Sequence, residues 1–509
     1  MKQIYKVRIS RTFFFTSFLV IQLLLIIIFI LKFNRYFAAF YGFSIFLSLA
    51  AVLWIINNNS NPIYKIAWIV PIMLFPIFGG LFYLFFGGNQ MRRKKKDKRN
   101  SVQTQTLESL ILNEETIDLL EKENPNAARQ ARYIQKSANY PLYLNNGAEY
   151  LSSGEQKFEK LKDQLAKAEK FIFLEYFIIE EGLMWNGILD ILKEKAAKGL
   201  DVRVLYDGAG CLETLPLNYD SKLGEYGIKS RVFNPMIPVL STRLNNRDHR
   251  KIAVIDGTTG FIGGINLADE YINKIEKYGH WKDAAVMLSG RAVWSLTVMF
   301  LSMWNYTKGL ADNPAAYRRD DFIQKEADGY IQPFADSPLD NESISEAVYL
   351  NMIYNAKKNI YITTPYLIID NEMVTALSTA AKSGVDVRII TPYYGDKFFV
   401  HEATQSYFPV LIESGVKILE YTPGFIHSKT LVVDDEFGVV GTINMDYRSF
   451  YLHFECGVWM YRCSCLSDII RDFEEMIRIC KEVTLENIKT TSWIQTLFRS
   501  VLRMFAPLM

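Results

Sequence analysis

Three apolar runs open the chain, and alternating strand and helix patterns fill most of the remaining length. Residues 12–31 carry no charge, nor do residues 36–56. A third run, residues 66–91, is interrupted by Pro71, Pro76, Gly79-Gly80 and Gly87-Gly88. A bilayer-crossing helix needs about 20 apolar residues, so residues 1–91 are predicted to hold two or three membrane segments. The first run is longer than the apolar region of a removed leader and lacks a small-residue cleavage site, which predicts a retained anchor. Basic residues flank the set on both sides: Lys2, Lys6, Arg8 and Arg11 before it, and Arg92-Arg93-Lys94-Lys95-Lys96-Asp97-Lys98-Arg99 after it. The positive-inside rule sends both flanks to the cytoplasm, which requires an even number of crossings. The Pro- and Gly-broken third run is then the candidate for a re-entrant segment; alternatively the N-terminus lies outside despite its charge, and either way the remainder of the chain is expected in the cytoplasm.

Residues 92–137 read as a basic flank followed by a helical linker. Beyond them the pattern becomes periodic and repeats. A strand over 171–179, a helix over 185–198 and a strand over 201–206 are matched by a strand over 359–366, a helix over 374–382 and a strand from Asp386. The helix-to-strand joints, Lys198-Gly199-x-Asp201-Val202-Arg203 and Ser383-Gly384-x-Asp386-Val387-Arg388, are nearly the same. Such strand–helix–strand units imply parallel pairing with right-handed crossovers. A repeat of domain size predicts a duplicated α/β fold, with repeats over 138–325 and 326–483. In the tail, 484–509, apolar residues recur at helical spacing opposite Arg499 and Arg503. Two readings stay open for it, a helix lying at a membrane surface and one packed on the core.

With 509 residues, half of them apolar, the chain can bury a large core. Its net charge of +2 excludes a strongly basic nucleic-acid binder on overall balance. The cysteines, Cys211, Cys456, Cys463, Cys465 and Cys480, form no paired framework, and Cys463 and Cys465 are too close together for a zinc pair. They are expected to be reduced and packed.

The chemistry is concentrated in a pattern that occurs twice. His249-x-Lys251-x4-Asp256 precedes Gly263-Gly264-Ile265-Asn266, and His427-x-Lys429-x4-Asp434 precedes Gly441-Thr442-Ile443-Asn444. On a strand, residues two apart share a face, so each His lies beside its Lys. Asp256 and Asp434 complete the motifs and count with His249, Lys251, His427 and Lys429 as catalytic candidates, but by the same parity they fall on the opposite face, which favours a supporting ion pair over direct chemistry. The chain has only five histidines, and two of them occupy matching positions in the repeats. Pooled in one site, the two motifs suit an anionic phosphorus centre. One neutral imidazole attacks and the other, protonated, gives its proton to the leaving alkoxide. Lys251, Lys429, Asn266, Asn444 and Thr442 are the candidates to bind the phosphoryl oxygens. Each imidazole needs a partner to fix its tautomer. The candidates are Asp283, 34 positions after His249, and Glu455, 28 positions after His427. No carboxylate cluster at metal-ligand spacing accompanies the motifs, so no metal or other cofactor is expected.

With these residues the chain resembles the phospholipase D superfamily, whose mark is the paired H-x-K-x4-D motif, and within it the bacterial cardiolipin synthases. The likeness extends to Asn245-x-Arg247-Asp248-His249-Arg250-Lys251, Glu270-Tyr271, Trp281-x-Asp283, Met445-Asp446-x-Arg448-Ser449 and Phe454-Glu455. It departs at His453, where that family often has Asn. The resemblance implies duplicated mixed-sheet domains, flanked by helices, around one pseudo-twofold site. It also implies transfer of a phosphatidyl group from one phosphatidylglycerol to another without a cofactor, with His249 as nucleophile and His427 as acid. The expected partners are phosphatidylglycerol and anionic membrane lipids. A membrane phospholipase D or a phosphatidylserine synthase would use the same residues, since the motifs do not encode the acceptor. A nucleic-acid phosphodiesterase would too, but the apolar runs and modest charge argue against it.

Overall fold

Two sheets with the same strand order organise the chain in a computed structural model. It describes residues 107–508 apart from 145, 236–245, 309–312, 320–328 and 340–341. Towards the N-terminus it describes 37–57, 62–75 and the isolated positions 20, 21, 24, 27, 28, 32 and 83.

The first sheet comprises β1 (Gly147–Leu151), β2 (Phe171–Tyr176), β3 (Asp201–Asp207), β4 (Lys229–Phe233), β5 (Lys251–Ile255), β6 (Thr259–Gly263) and β7 (Ala285–Ser289), in the order β1-β7-β6-β5-β2-β3-β4. The second comprises β8 (Tyr330–Asp336), β9 (Asn359–Thr363), β10 (Asp386–Pro392), β11 (Lys417–Tyr421), β12 (Thr430–Val433), β13 (Phe437–Gly441), β14 (His453–Tyr461) and β15 (Cys480–Val483), in the order β8-β14-β13-β12-β9-β10-β11-β15. Position for position they correspond, with β15 added at one edge of the second sheet, the short strand Tyr143–Leu144 beyond β8 at the other, and Arg247–Asp248 paired with β14 off the main path. In each sheet the strands joined through a helix run parallel, β2-β3-β4 and β9-β10-β11, and the motif strands β5 and β12 run antiparallel to both neighbours. The mixed, duplicated α/β fold is therefore present. Its motif strands are buried along their whole length, as expected of strands covered on both faces. One apolar core runs through both repeats, from Phe173 and Val254 to Val440 and Trp459.

From residue 107 on, the segment read as a linker packs against the second sheet. Helices Glu114–Glu123 and Pro125–Ala138 meet at Asn124, whose side chain caps the second helix through the Asn126 and Ala127 amides. Ala127, Ala128, Ala131 and Ile134 are fully buried. Gln332 of β8 donates to the Ala131 and Tyr140 carbonyls, tying this helix to the second sheet.

In the N-terminal part, helix Phe37–Asn57 has no charged residue and exposes Phe43, Phe46, Leu53 and Trp54. Helix Pro62–Leu74 begins at a proline and includes Pro71. Among the described residues no helix is long and apolar enough to cross a membrane. Most of the 12–31 run and all of the 92–99 cluster lie outside the described residues. In the tail, helix Trp493–Phe505 packs through Leu502 and Phe498 together with its arginines. Arg499 Nε donates to Glu402 at 2.7 Å, and the Arg503 guanidinium lies 4.6 Å from the Tyr407 ring centre. Trp493, Ile494, Leu497 and Val501 are exposed, and Phe498 of the same helix lies against the exposed Phe398 and Phe399.

Candidate active site

The motif histidines sit just before β5 and β12, each held by a short parallel pairing with the other repeat. Arg247–Asp248 pairs with His453–Phe454 at the start of β14, and the His249 amide donates to the Phe454 carbonyl at 3.0 Å. Reciprocally, Gly424–Ile426 pairs with His280–Lys282, and the His427 amide donates to the Lys282 carbonyl at 2.6 Å. This exchange delivers the carboxylates crosswise. Glu455 holds His249, with Nδ1 2.9 Å from Oε1 and 3.1 Å from Oε2. Asp283 holds His427, with Nδ1 2.7 Å from Oδ2. Counting positions from each histidine suggests a partner within the same repeat, and the structure reverses that pairing. With Nδ1–H given to a carboxylate, each ring keeps its Nε2 lone pair for chemistry.

Both imidazoles are buried, and burial lowers their basicity. His249 is held well below the usual range by burial and then by the Lys251 and Lys429 ammoniums. His427 is lowered to about 4 by burial and Lys429, against the opposing pull of Asp283. Lys251 is pushed down to about 8 and Lys429 to about 7, in each case chiefly by burial. Each Lys Nζ donates to the carbonyl of the histidine two residues earlier. Without a ligand the site thus favours neutral rings. An arriving phosphodiester anion opposes the ammoniums and raises the proton affinity of all four groups.

The other predicted residues divide. Asn266 spans two contacts, accepting from the Ile178 amide at 3.0 Å and donating to the Tyr271 hydroxyl at 2.6 Å. Asn444 Oδ1 is buried without a hydrogen-bond partner. Thr442 does not present its hydroxyl to a phosphate. It donates to Glu455 Oε2, steadying the carboxylate behind His249. Asp256 and Asp434 form no ion pair among the described residues and lie at the far ends of their strands. Each adopts a left-handed backbone at a hairpin turn, with φ of 53° and 54°. The Asp256 carboxylate accepts from the Glu169, Lys170 and Phe171 amides, and Asp434 accepts from those of Lys357, Lys358 and Asn359. These aspartates anchor the starts of β2 and β9, where parity along the motif predicts an ion pair.

Several neighbours carry no chemical signal readable in the sequence. Phe177 packs edge-on to His249 at 5.2 Å, and Tyr271 to His427 at 5.6 Å. Buried Lys157, lowered to about 7 by burial, donates to the Tyr176 hydroxyl and the Ile265 carbonyl. Arg250, fully buried behind His249, lies 2.9 Å from Glu175. Of these, Tyr271 and Arg250 lie within stretches that the family likeness marks.

The sequence profile described as "Cardiolipin synthase, PLD-like domain" matches residues 161–304 and 349–477, one stretch per repeat. The chain belongs to that family. A second profile, "Phospholipase_D-nuclease N-terminal", matches residues 46–88. A cardiolipin synthase of Halalkalibacterium halodurans is 35% identical, over 92% of this chain and 94% of its own. An uncharacterized protein of Streptococcus mutans is 45% identical, over 91% of this chain and 100% of its own. Among solved structures, the phosphatidylserine synthase of Haemophilus influenzae aligns with a TM-score of 0.55 at 18% identity, covering 74% of this chain and 97% of its own, and shares the fold. Family membership makes the chain a phosphatidyltransferase of the phospholipase D type.

Proposed function

We propose that this site joins two phosphatidylglycerol molecules into cardiolipin and glycerol. His249 Nε2 attacks phosphorus, the bond to the headgroup glycerol breaks, and His427 gives that oxygen its proton. The terminal hydroxyl of a second phosphatidylglycerol then loses its proton to His427 and attacks phosphorus, and the P–N bond breaks. The observation that carries this reading is the crossed clamp, which points two imidazoles, each with its tautomer set, into a site holding two ammoniums. General acid–base help of this kind is worth about 10²–10⁴-fold, and Lys251 and Lys429 add stabilisation of the developing charge. Asn266 and Asn444 complete the phosphoryl contacts. The order of the two histidines rests on the resemblance, because their geometry is alike.

The membrane supplies both substrates. The apolar runs of 1–91 anchor the chain as a multi-pass segment, and the 92–99 cluster adds about 1 kcal/mol per basic residue near anionic headgroups. The outward Trp493, Ile494, Leu497 and Val501 seat the tail helix in the interface. The catalytic repeats then lie on the cytoplasmic side.

The test is incubation of purified protein with phosphatidylglycerol alone, with products resolved by mass. Cardiolipin and glycerol are expected, and the reaction continues in chelator. Phosphatidic acid without cardiolipin would make the acceptor water and overturn the synthase reading.

A further inference from the structure

His453 is left unused by the proposed chemistry. Its ring centre lies 5.6 Å from that of His249, and both of its nitrogens are buried without a hydrogen-bond partner. Its Nδ1 is 3.7 Å from Glu455 Oε1, beyond hydrogen-bond reach. Buried polar atoms left this way need a partner that the protein does not provide.

The geometry suits a metal ion. One ligand atom each from His249, His453 and Glu455 falls within a span of 4.8 Å. A tetrahedral zinc with bonds of about 2.1 Å places its ligand atoms roughly 3.4 Å apart. The 2.9 Å from His249 Nδ1 to Glu455 Oε1 and the 3.7 Å from His453 Nδ1 to the same oxygen fall on either side of that value. Two imidazoles and one carboxylate form a set that zinc favours and that magnesium and calcium, which seek oxygen, do not. Thr442 already holds the second oxygen of Glu455, the kind of outer contact that orients a ligating carboxylate. Glu455 and Asp283 oppose the Lys251 and Lys429 ammoniums, while Arg448 acts on His453 and Lys397 on His249 from further out, so the ion must gain from its three ligands more than these cations cost it. At the corresponding place in the first repeat, two residues before Asp283, stands Trp281, which offers no ligand. Only one side of the duplicated site can therefore hold the ion.

We propose that His249, His453 and Glu455 form an inhibitory zinc site. Zinc bound through one ring nitrogen of His249 removes the attacking lone pair, and bound through the other it removes the hydrogen bond that presents it. Either way phosphatidyl transfer stops until the ion leaves.

The experiment uses the full chain in detergent micelles, stripped of metal and titrated with Zn²⁺ by calorimetry, with Co²⁺ absorption as a spectroscopic report of tetrahedral nitrogen and oxygen ligation. One ion per chain is expected, with activity falling in step and restored by EDTA. His453→Asn and His453→Gln should each weaken zinc binding by more than the roughly 10–100-fold typical of losing an outer-shell contact. Their inhibition, each measured against its own metal-free rate, should shift by the same factor. The binding arm is independent of the proposed lipid reaction and the inhibition arm rests on it, so the two can fail separately. Zinc affinity unchanged in both variants, or no zinc bound by the parent, would overturn the site, and binding without inhibition would overturn its inhibitory role.

Discussion

Around His249 the second repeat supplies a glutamate, steadied by the Thr442 hydroxyl. Around His427 the first repeat supplies an aspartate, one methylene shorter, and Gly264 stands where Thr442 would be. A Cβ on Gly264 would lie 2.2 Å from Asp283 Oδ1. The shorter carboxylate thus takes the space that a side chain fills in the other repeat, and the Ala284 amide, at 2.8 Å, replaces the hydroxyl as its donor. The Nδ1-to-oxygen distances, 2.9 and 2.7 Å, stay nearly equal. Duplication has preserved the position of an oxygen atom and not the residue that carries it. Because each carboxylate crosses to the other repeat, neither half holds a complete histidine–carboxylate pair.

The strongest way to break this comparison is to remove one ring. His249→Ala and His427→Ala should each lower turnover with phosphatidylglycerol by at least about 10⁴-fold, since groups that act as a unit fail together. Either variant retaining substantial turnover would remove the paired mechanism. Next come the crossed carboxylates. Glu455→Gln and Asp283→Asn should each cost on the order of 10²–10⁴-fold by releasing the tautomer. Nitrogen NMR of the imidazoles reads the crossing itself. Glu455→Gln should move the His249 resonances and leave those of His427, and the opposite result would restore pairing within each repeat.

The duplicated fold was legible because its evidence is local: the repeated Gly-x-Asp-Val-Arg joint and the His-x-Lys strands. The crossing was not. Spacing from His249 to Asp283 says nothing about which strand the 424–426 segment joins, and that long-range pairing decides the partner. Asp256 and Asp434 mislead because strand parity does not extend past the strand end, and β5 stops at Ile255 and β12 at Val433. Asp-Gly and Asp-Asp at those points are turn signals. The helix Pro125–Ala138 passes for a linker because, apart from Ile134, its buried face is built of alanines and of Gln130 and Gln135, which carry little hydropathy.

Smaller changes sharpen the asymmetry. Gly264→Ala pushes on Asp283 and should cost about 10–100-fold through a misplaced His427, whereas Thr442→Ser keeps its hydroxyl and should stay near parental activity. Equal tolerance at both positions would mean that the carboxylates are not confined as described. Asp256→Ala removes an acceptor shared by three amides. It should lower unfolding stability by about 2–3 kcal/mol, read by denaturant titration, with activity per folded molecule retained. Asp434→Ala should cost less, because its partner amides at Lys357 and Lys358 are exposed. Loss of activity without loss of stability would return these aspartates to the catalytic group.

The mildest test is pH. Burial places Lys429 near 7 and Lys251 near 8, so raising the pH through that window strips positive charge from the site that must bind an anion. The kcat/KM for phosphatidylglycerol should therefore fall by about tenfold per pH unit above the lower of the pair's two apparent values, steepening towards about a hundredfold per unit above the higher. Bound phosphodiester favours the ammonium forms, so the corresponding fall in kcat should occur at higher pH. Lys429→Arg provides the control. Arginine stays charged throughout this range, so whatever rate the variant retains should lose the lower of the two titrations and keep only that of Lys251. An alkaline limb unmoved by this substitution would assign the titration to another group and leave Lys429 without the electrostatic role that its position beside His427 implies.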